Sequence, residues 1–479
     1  MHTLQRHAAM ILTRRSLVSF ILLCLFSGLR LNAAPPPART ISFYKQILPL
    51  MHGRCQACHQ PASAGGGLIL TDFGTLMKGG EHGAVLSGGK PEASPIMEYL
   101  TGKRTLMPKG GPALPPAEIE LFRRWIAEGA SDDTPSMKDP IDSDHPPVYR
   151  QPPVITAMAY APDGKTIAVS GYRETLLWAS DGSMLQGRLV GQAEKILSLV
   201  YSPDGKLLVA AGGTPALFGE IQFWDPGTRT LISAPRNSYD TVFGASLSPD
   251  AKQVAFGCTD NTVRAISVPD GKQILRFDNH SDWPLSTTFA TDGKHLLSAG
   301  RDQAIKLILL DGPTGSFIDD INTHTAIIRC LAREPKMDNV VSGGDDGIPR
   351  LYKVYRTEAR TMNQEDHNLI RAFPRQSATI TAVAFSPDGS LVAVGSEQGI
   401  VNLYRVADGR QVSSLVGHRG TICAIAFAPD GKEVATGGFD GEVRIYSPET
   451  GRKLHEFCPV PLQKRAVVKG ERAAGEVTK

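Results

Sequence analysis

Apolar and polar residues follow three successive patterns along this 479-residue chain. The first is an unbroken apolar run, "LVSFILLCLFSG", preceded by Arg6, Arg14 and Arg15 and followed by the small residues of "LNAAPPP". It falls well short of the roughly 20 residues a spanning helix needs. Its flanks predict a secretory signal peptide over 1–34. Between 42 and 132 the apolar spacing becomes helical. "SFYKQILPLMHGR" is one such stretch, and "PPAEIELFRRWIAEG" is another. The latter opens with prolines and acids, sets Ile119, Phe122 and Ile126 on one face beside Leu121 and Trp125, and ends at Gly129. From 153 onward the period drops to two. Short alternating runs are broken by "APDG", "SPDG", "SPDA", "ATDG", "SPDG" and "APDG", which carry Asp163, Asp204, Asp250, Asp292, Asp388 and Asp430. A degenerate unit, "REPKMDN" with Asp338, fills the one gap. Seven units of about 41 to 50 residues match the period of a four-stranded propeller blade.

The predicted fold class is therefore multidomain. A small all-α domain at 42–132 precedes an all-β seven-bladed propeller at 153–458. The stretch 133–152, rich in Pro, Asp and Ser, reads as a linker, although its "HPPVYRQ" is also a candidate strand for closing the ring. Residues 459–479 read as a basic, disordered tail. Blade 5 carries a polar insertion, "TEARTMNQEDH", longer than a hairpin needs; surplus loops of this kind often contact partners.

Composition agrees with many tight turns, since the chain holds 48 glycines and 34 prolines. Charge changes one inference. The formal net charge is +3, but residues 1–34 hold four arginines and no acids, so the remainder carries −1. The apparent basicity belongs to the targeting segment, and no nucleic-acid footprint is left. No transmembrane helix is expected in the mature chain.

Seven cysteines are present. Cys24 belongs to the signal peptide, and Cys258, Cys330, Cys423 and Cys458 are scattered through the repeats. Cys330 and Cys423 fall on the innermost strands of blades 5 and 7, too far apart to bridge. Cys55 and Cys58 differ, because "CQACH" is the attachment signature of a c-type haem. Two thiols at this spacing add across the porphyrin vinyl groups, and the next residue, His59, offers an imidazole to the iron. A redox dithiol would want a βαβ context and a zinc site a second ligand pair, and neither is visible. A second axial ligand comes from a set of candidates. Met107 stands beside Pro108 in an extended Gly/Pro-rich loop; Met77 and His82 sit among glycines; Met51 and Met97 lie in apolar helical patterns that suit core packing; His52 completes the set.

The run from "FYKQILPLMHGRCQACH" through "GGLILTDFGTLMKGG" and "SGGKPEASPIMEYL" to "LMPKGGPALPPAEIELFRRWIAEGA" resembles the planctomycete-type cytochrome c domain. The resemblance implies one haem c per chain on Cys55 and Cys58, with His59 and Met107 as axial ligands. The later units resemble WD40 repeats. The Trp-Asp pair survives as Trp224 and Asp225, tyrosine takes the tryptophan position at Tyr352, Tyr404 and Tyr446, and Gly417 with His418 keeps the Gly-His pair. Asp260, Asp302, Asp346 and Asp440 keep the turn acid, whereas blades 1, 2 and 6 depart from it.

The two halves predict an exported protein, in the periplasm or at the cell surface, that moves single electrons. A His/Met haem leaves no open iron site. The propeller then docks a redox partner, another exported protein or a surface polymer. The alternative is a periplasmic haem enzyme, an oxidoreductase or peroxidase-like protein, whose propeller contributes the substrate site. No catalytic residue is assigned, since the repeats add no second haem motif.

Overall fold

Short strands with both faces apolar have to be covered from both sides, and the way this chain covers them sets its architecture. The computed structural model describes residues 40–60, 64–134, 141–321, 323–356 and 368–463. The expected signal peptide, the blade 5 insertion at 357–367 and the tail from 464 lie outside the described residues. By packing, the chain separates into two units, Met1–Leu50 with Ala84–Thr134 and Met51–Gly83 with Pro135–Lys479.

The described strands form seven blades. Blades 3 to 7 are separate four-stranded antiparallel sheets. Blades 1 and 2 share one eight-stranded sheet, because strand Leu185–Tyr201 is the outer strand of blade 1 and then the inner strand of blade 2. Each inner strand touches the inner strand of the next blade, and the last, Ile422–Phe427, touches the first, Met158–Tyr160.

The core is divided among the seven joints between blades. At the joint of blades 4 and 5, Leu297 and Leu307 meet Val340 and Tyr352; at the next joint, Val341 and Leu351 meet Val392 and Tyr404. Neighbouring residues on one strand thus serve opposite joints, as the two-residue period of a strand requires. The three tyrosines in the tryptophan position, Tyr352, Tyr404 and Tyr446, are all buried. Tyr446 satisfies its hydroxyl by donating to Val416 O at 2.9 Å.

Six of the seven first turns are built by their aspartate. Asp163, Asp204, Asp250, Asp292, Asp388 and Asp430 each accept the N–H two residues on, at 2.8 to 3.1 Å. The residue after the aspartate takes a positive φ. Glycine fills it everywhere but blade 3, where Ala251 sits at φ 57°. The degenerate unit works differently: the Asp338 carboxylate accepts Thr291 N and Oγ1 of the blade 4 turn, each at 2.8 Å. It braces a neighbour instead of capping its own turn.

The opposite turns hold a second set of contacts. His418 Nδ1 lies 2.9 Å from Asp440 Oδ1, and its Nε2 lies 2.8 Å from Thr436 Oγ1. The same arrangement joins His280 to Asp302 and Ser298, and His324 to Asp346 and Ser342. Blade 1 replaces it with a buried Glu174 carboxylate gripped by Arg188 at 2.6 and 2.7 Å. Blade 2 uses a chain in which Trp224 Nε1 donates to Gln222, whose amide donates to Glu220.

The ring is fastened where it closes. All four strands of blade 7 come from Ile422–Phe457 in unbroken order, so "HPPVYRQ" is not one of them. Tyr149 instead forms a parallel bridge with Leu462, and its O accepts Gln463 N at 2.9 Å. Tyr149 donates its hydroxyl to Glu174 at 2.7 Å, Arg188 donates to Pro147 O at 2.7 Å, and Trp178 Nε1 donates to Pro459 O at 2.9 Å. Val460 is buried against Leu176 and Tyr149.

Two expectations follow. Replacing Ala251 by glycine removes a left-handed alanine, which costs roughly 1–2 kcal/mol, so Ala251→Gly should raise the urea midpoint by a stability gain of about 1 kcal/mol. A lower midpoint would show that the turn is not strained. The second concerns acid. Burial alone would raise the Asp440 carboxyl, but hydrogen bonds from His418 and Arg444 outweigh it and hold it at about 2. Burial holds His418 below its ordinary 6.5. Both groups then bind fewer protons folded than unfolded, so their stabilisation is complete above 6.5 and 3.8 respectively and is lost as pH falls, for Asp440 down to about 2. Urea titrations across this range should show the loss, and Asp440→Asn should flatten its lower limb; an unchanged slope in the variant would refute the assignment.

Candidate cofactor-attachment site

Cys55, Cys58 and His59 are brought together by one tight turn. Helix α1 (Leu48–Arg54) runs straight into it, with Cys55 N donating to Met51 O at 2.9 Å. Cys58 N and His59 N then both return to Cys55 O, at 3.2 and 3.1 Å. The i to i+3 and i to i+4 bonds carry both cysteines and the imidazole on a single helical turn. Burial pushes the Cys55 thiol up to about 11, with neighbouring Cys58 adding to the rise. That is opposite to the shift that activates a redox dithiol. Cys55 is half-buried and Cys58 is exposed.

The imidazole is held at one nitrogen. His59 Nδ1 lies 3.3 Å from Leu68 O, and Leu70 N donates to His59 O at 2.8 Å. Donation from Nδ1 to a carbonyl leaves Nε2 as the basic nitrogen, the arrangement of most metal-bound histidines. Nε2 has no hydrogen-bond partner among the described residues. The glycine run beside it makes this approach possible: a methyl on Gly65 would lie 3.2 Å from Cys58 O and 3.5 Å from His59 Cε1. A short helix α2 (Phe73–Lys78), capped by Asp72 on Thr75 N, follows. These residues fit a haem edge with its two thioether positions and one axial ligand. Among the described residues no group of three or more His, Cys, Asp or Glu side chains is placed to hold a bare ion.

The other candidates for an axial ligand are sorted by their surroundings. Met51 and Met97 are buried core residues. His52 has its Nε2 3.3 Å from Thr71 O. Met77 is exposed on α2, and His82 is exposed just beyond it. Met107 belongs to the other packing unit, in a loop between α3 (Pro95–Leu100) and α4 (Pro116–Ala127). It is half-buried there, its N donates to Tyr99 O at 3.2 Å, and the Met107–Pro108 peptide is cis. Within that unit, Phe43 packs on Trp125 with ring centres 5.4 Å apart, and α4 buries Phe122, Trp125 and Ile126 as its stripe predicts. Ile119 is only half-buried.

The motif on its helical turn and the closed ring of seven blades define the class: a cytochrome c-like domain joined to a β-propeller. The Planctomycete cytochrome C family model matches residues 55–111, and the WD domain, G-beta repeat model matches 271–308, 367–405 and 409–447. Similar proteins include Periodic tryptophan protein 2 of Arabidopsis thaliana, 24% identical over 43% of this chain and 26% of its own length. Pre-mRNA-processing factor 19 homolog 2 of Arabidopsis thaliana is 27% identical over 35% of this chain and 30% of its length. WD repeat-containing protein 90 of Mus musculus is 24% identical over 37% of this chain and 9% of its length. The match thus spans less than a third of each of these relatives.

Sequence reasoning named His418 but passed over His280 and His324, which lack the preceding glycine. The signal was present in the spacing. Each histidine stands 22 residues before its aspartate and 18 before its serine or threonine. The free cysteines of the ring also divide: Cys258 is buried, whereas Cys330, Cys423 and Cys458 are only half-buried.

Proposed function

We propose that this chain is an exported monohaem c-type cytochrome that passes single electrons, with its propeller as the docking module for a redox partner or other exported protein. The observation that carries this is the Cys55, Cys58 and His59 turn, with His59 Nδ1 tied to Leu68 O, inside a segment matching the Planctomycete cytochrome C family. Cys55 and Cys58 would form the thioether bonds and His59 Nε2 the proximal ligand. When bound, the haem iron supplies one-electron chemistry by alternating between its ferric and ferrous states. Leu68 O fixes the His59 tautomer and raises the basicity of Nε2. Met107 would supply the second iron ligand, a thioether that would favour the reduced iron. The apolar run of 1–34 supports export, which brings the thiols to where haem is attached.

Expressed in a host with c-haem maturation, the protein should keep its haem after denaturation, and Cys55→Ala with Cys58→Ala should lose it. Absence of covalent haem from the unaltered protein would overturn the reading. Met107→Ala should lower the midpoint potential by roughly 100 mV or more and open the reduced iron to carbon monoxide, since axial ligands tune haem potentials over about 0.8 V. The unaltered protein should bind carbon monoxide slowly or not at all. Ready binding, or turnover of peroxide, would select the enzyme reading. An unchanged spectrum in Met107→Ala would pass the ligand role to Met77 or His82.

A further inference from the structure

Between the first turns of blades 1 and 2 the ring surface opens into a cavity of about 360 Å³. Sites for small molecules start at roughly 300 Å³. Its lining includes Leu177 and hydrogen-bonding groups of both kinds. Asp163 and Asp204 each use Oδ1 within their own turns, which leaves Oδ2 as an acceptor. The donors are distinct. Tyr201 has a buried hydroxyl with no partner among the described residues. Thr166 donates to Gln186 Oε1 at 2.9 Å, so the Gln186 amide presents its N–H groups. Arg229 lies where Gly187 leaves room for it, as a methyl on that glycine would stand 2.6 Å from Nε. Its guanidinium makes no hydrogen bond or ion pair among the described residues.

The chemistry of this lining narrows the occupant. A small anion would meet two carboxylates. A metal ion would find only two, with a guanidinium opposing it. An apolar molecule would strand a donor at Tyr201 and acceptors at both aspartates. Vicinal hydroxyls suit all of them, because each hydroxyl donates to a carboxylate and accepts from an amide, phenol or guanidinium. Pro162, Pro226 and Leu177 supply apolar surface for ring C–H groups. At the joint between blades 7 and 1, Tyr160 and Asp430 occupy the positions of Tyr201 and Asp163, but Glu433 stands where Thr166 stands and its charge acts on the Tyr160 phenol.

We infer that the cavity between blades 1 and 2 binds a neutral pyranose unit of a saccharide. The inference rests on reading the ring as a binding module and is independent of the haem. The test is saturation-transfer NMR on the full chain with glucose, galactose, mannose, xylose and their short oligomers. At least one should receive saturation. Thr166→Glu, which imports the residue of the neighbouring joint, and Asp163→Asn should each weaken that binding about tenfold or more, a loss of roughly 1.4 kcal/mol, without shifting the melting temperature or the haem spectrum. Arg229→Ala serves as a third variant, away from any turn cap. No transfer to any of these sugars would overturn the assignment, as would transfer that survives all three substitutions. Inorganic phosphate displacing the sugar's effect would instead make the cavity an anion site and also overturn it. Any of these results leaves the covalent-haem experiment untouched, so the two readings fail separately.

Discussion

The structure depends on one constraint: a blade of this chain has two apolar faces and no means of covering either. Val340 and Val341 are adjacent in sequence yet belong to different joints. Every strand of the second and third ranks makes the same demand, so a single blade, or an open arc, leaves apolar surface facing water at its ends. Burial is worth roughly 25 cal/mol per Å², and only closure collects it at all seven joints. The ring is thus a cooperative object whose terminal blades have to find one another. The joints also differ from one another at their rims, since Thr166 stands in one where Glu433 stands in the neighbouring one.

The attachment turn obeys a different logic. It gains order from hydrogen bonds to the backbone: two accepted by Cys55 O, one accepted by Leu68 O from the imidazole, and one donated by Leu70 N to His59 O. A site built this way fixes the direction of an imidazole while leaving both thiols free to react. The contrast with the His, Asp and Ser or Thr groups of the ring is instructive, since both nitrogens of those imidazoles are engaged and both serve packing. Histidines of this chain therefore differ in how many of their polar atoms the fold has used.

What the sequence disclosed and what it concealed divide along the range of the contacts. The turn aspartates were legible because each caps an N–H two residues away. The Phe122, Trp125 and Ile126 stripe was legible because helical spacing is local. Cys55, Cys58 and His59 share one turn, as their close spacing implies. His280 and His324 were not seen: their partners lie 18 and 22 residues off, and the glycine that marks His418 is missing. Asp338 was placed in its own turn, whereas its carboxylate reaches back to Thr291, 47 residues earlier. The fastening of Tyr149 to the segment after Phe457 had no pattern to announce it, since nothing in "HPPVYRQ" encodes a partner near the far end of the chain.

That fastening has a consequence for how the protein is made. Trp178 and Pro459 meet across 281 residues, and the Tyr149 hydroxyl sits on the buried Glu174 that Arg188 also grips. Blade 1 emerges first from the ribosome but cannot finish its outer surface until the last described residues have been synthesised. Its strands wait through the production of six further blades, with their flank uncovered. Contacts of such long range slow the search for the native state. With that flank uncovered until the ring closes, blade 1 stays open to wrong pairings with other chains.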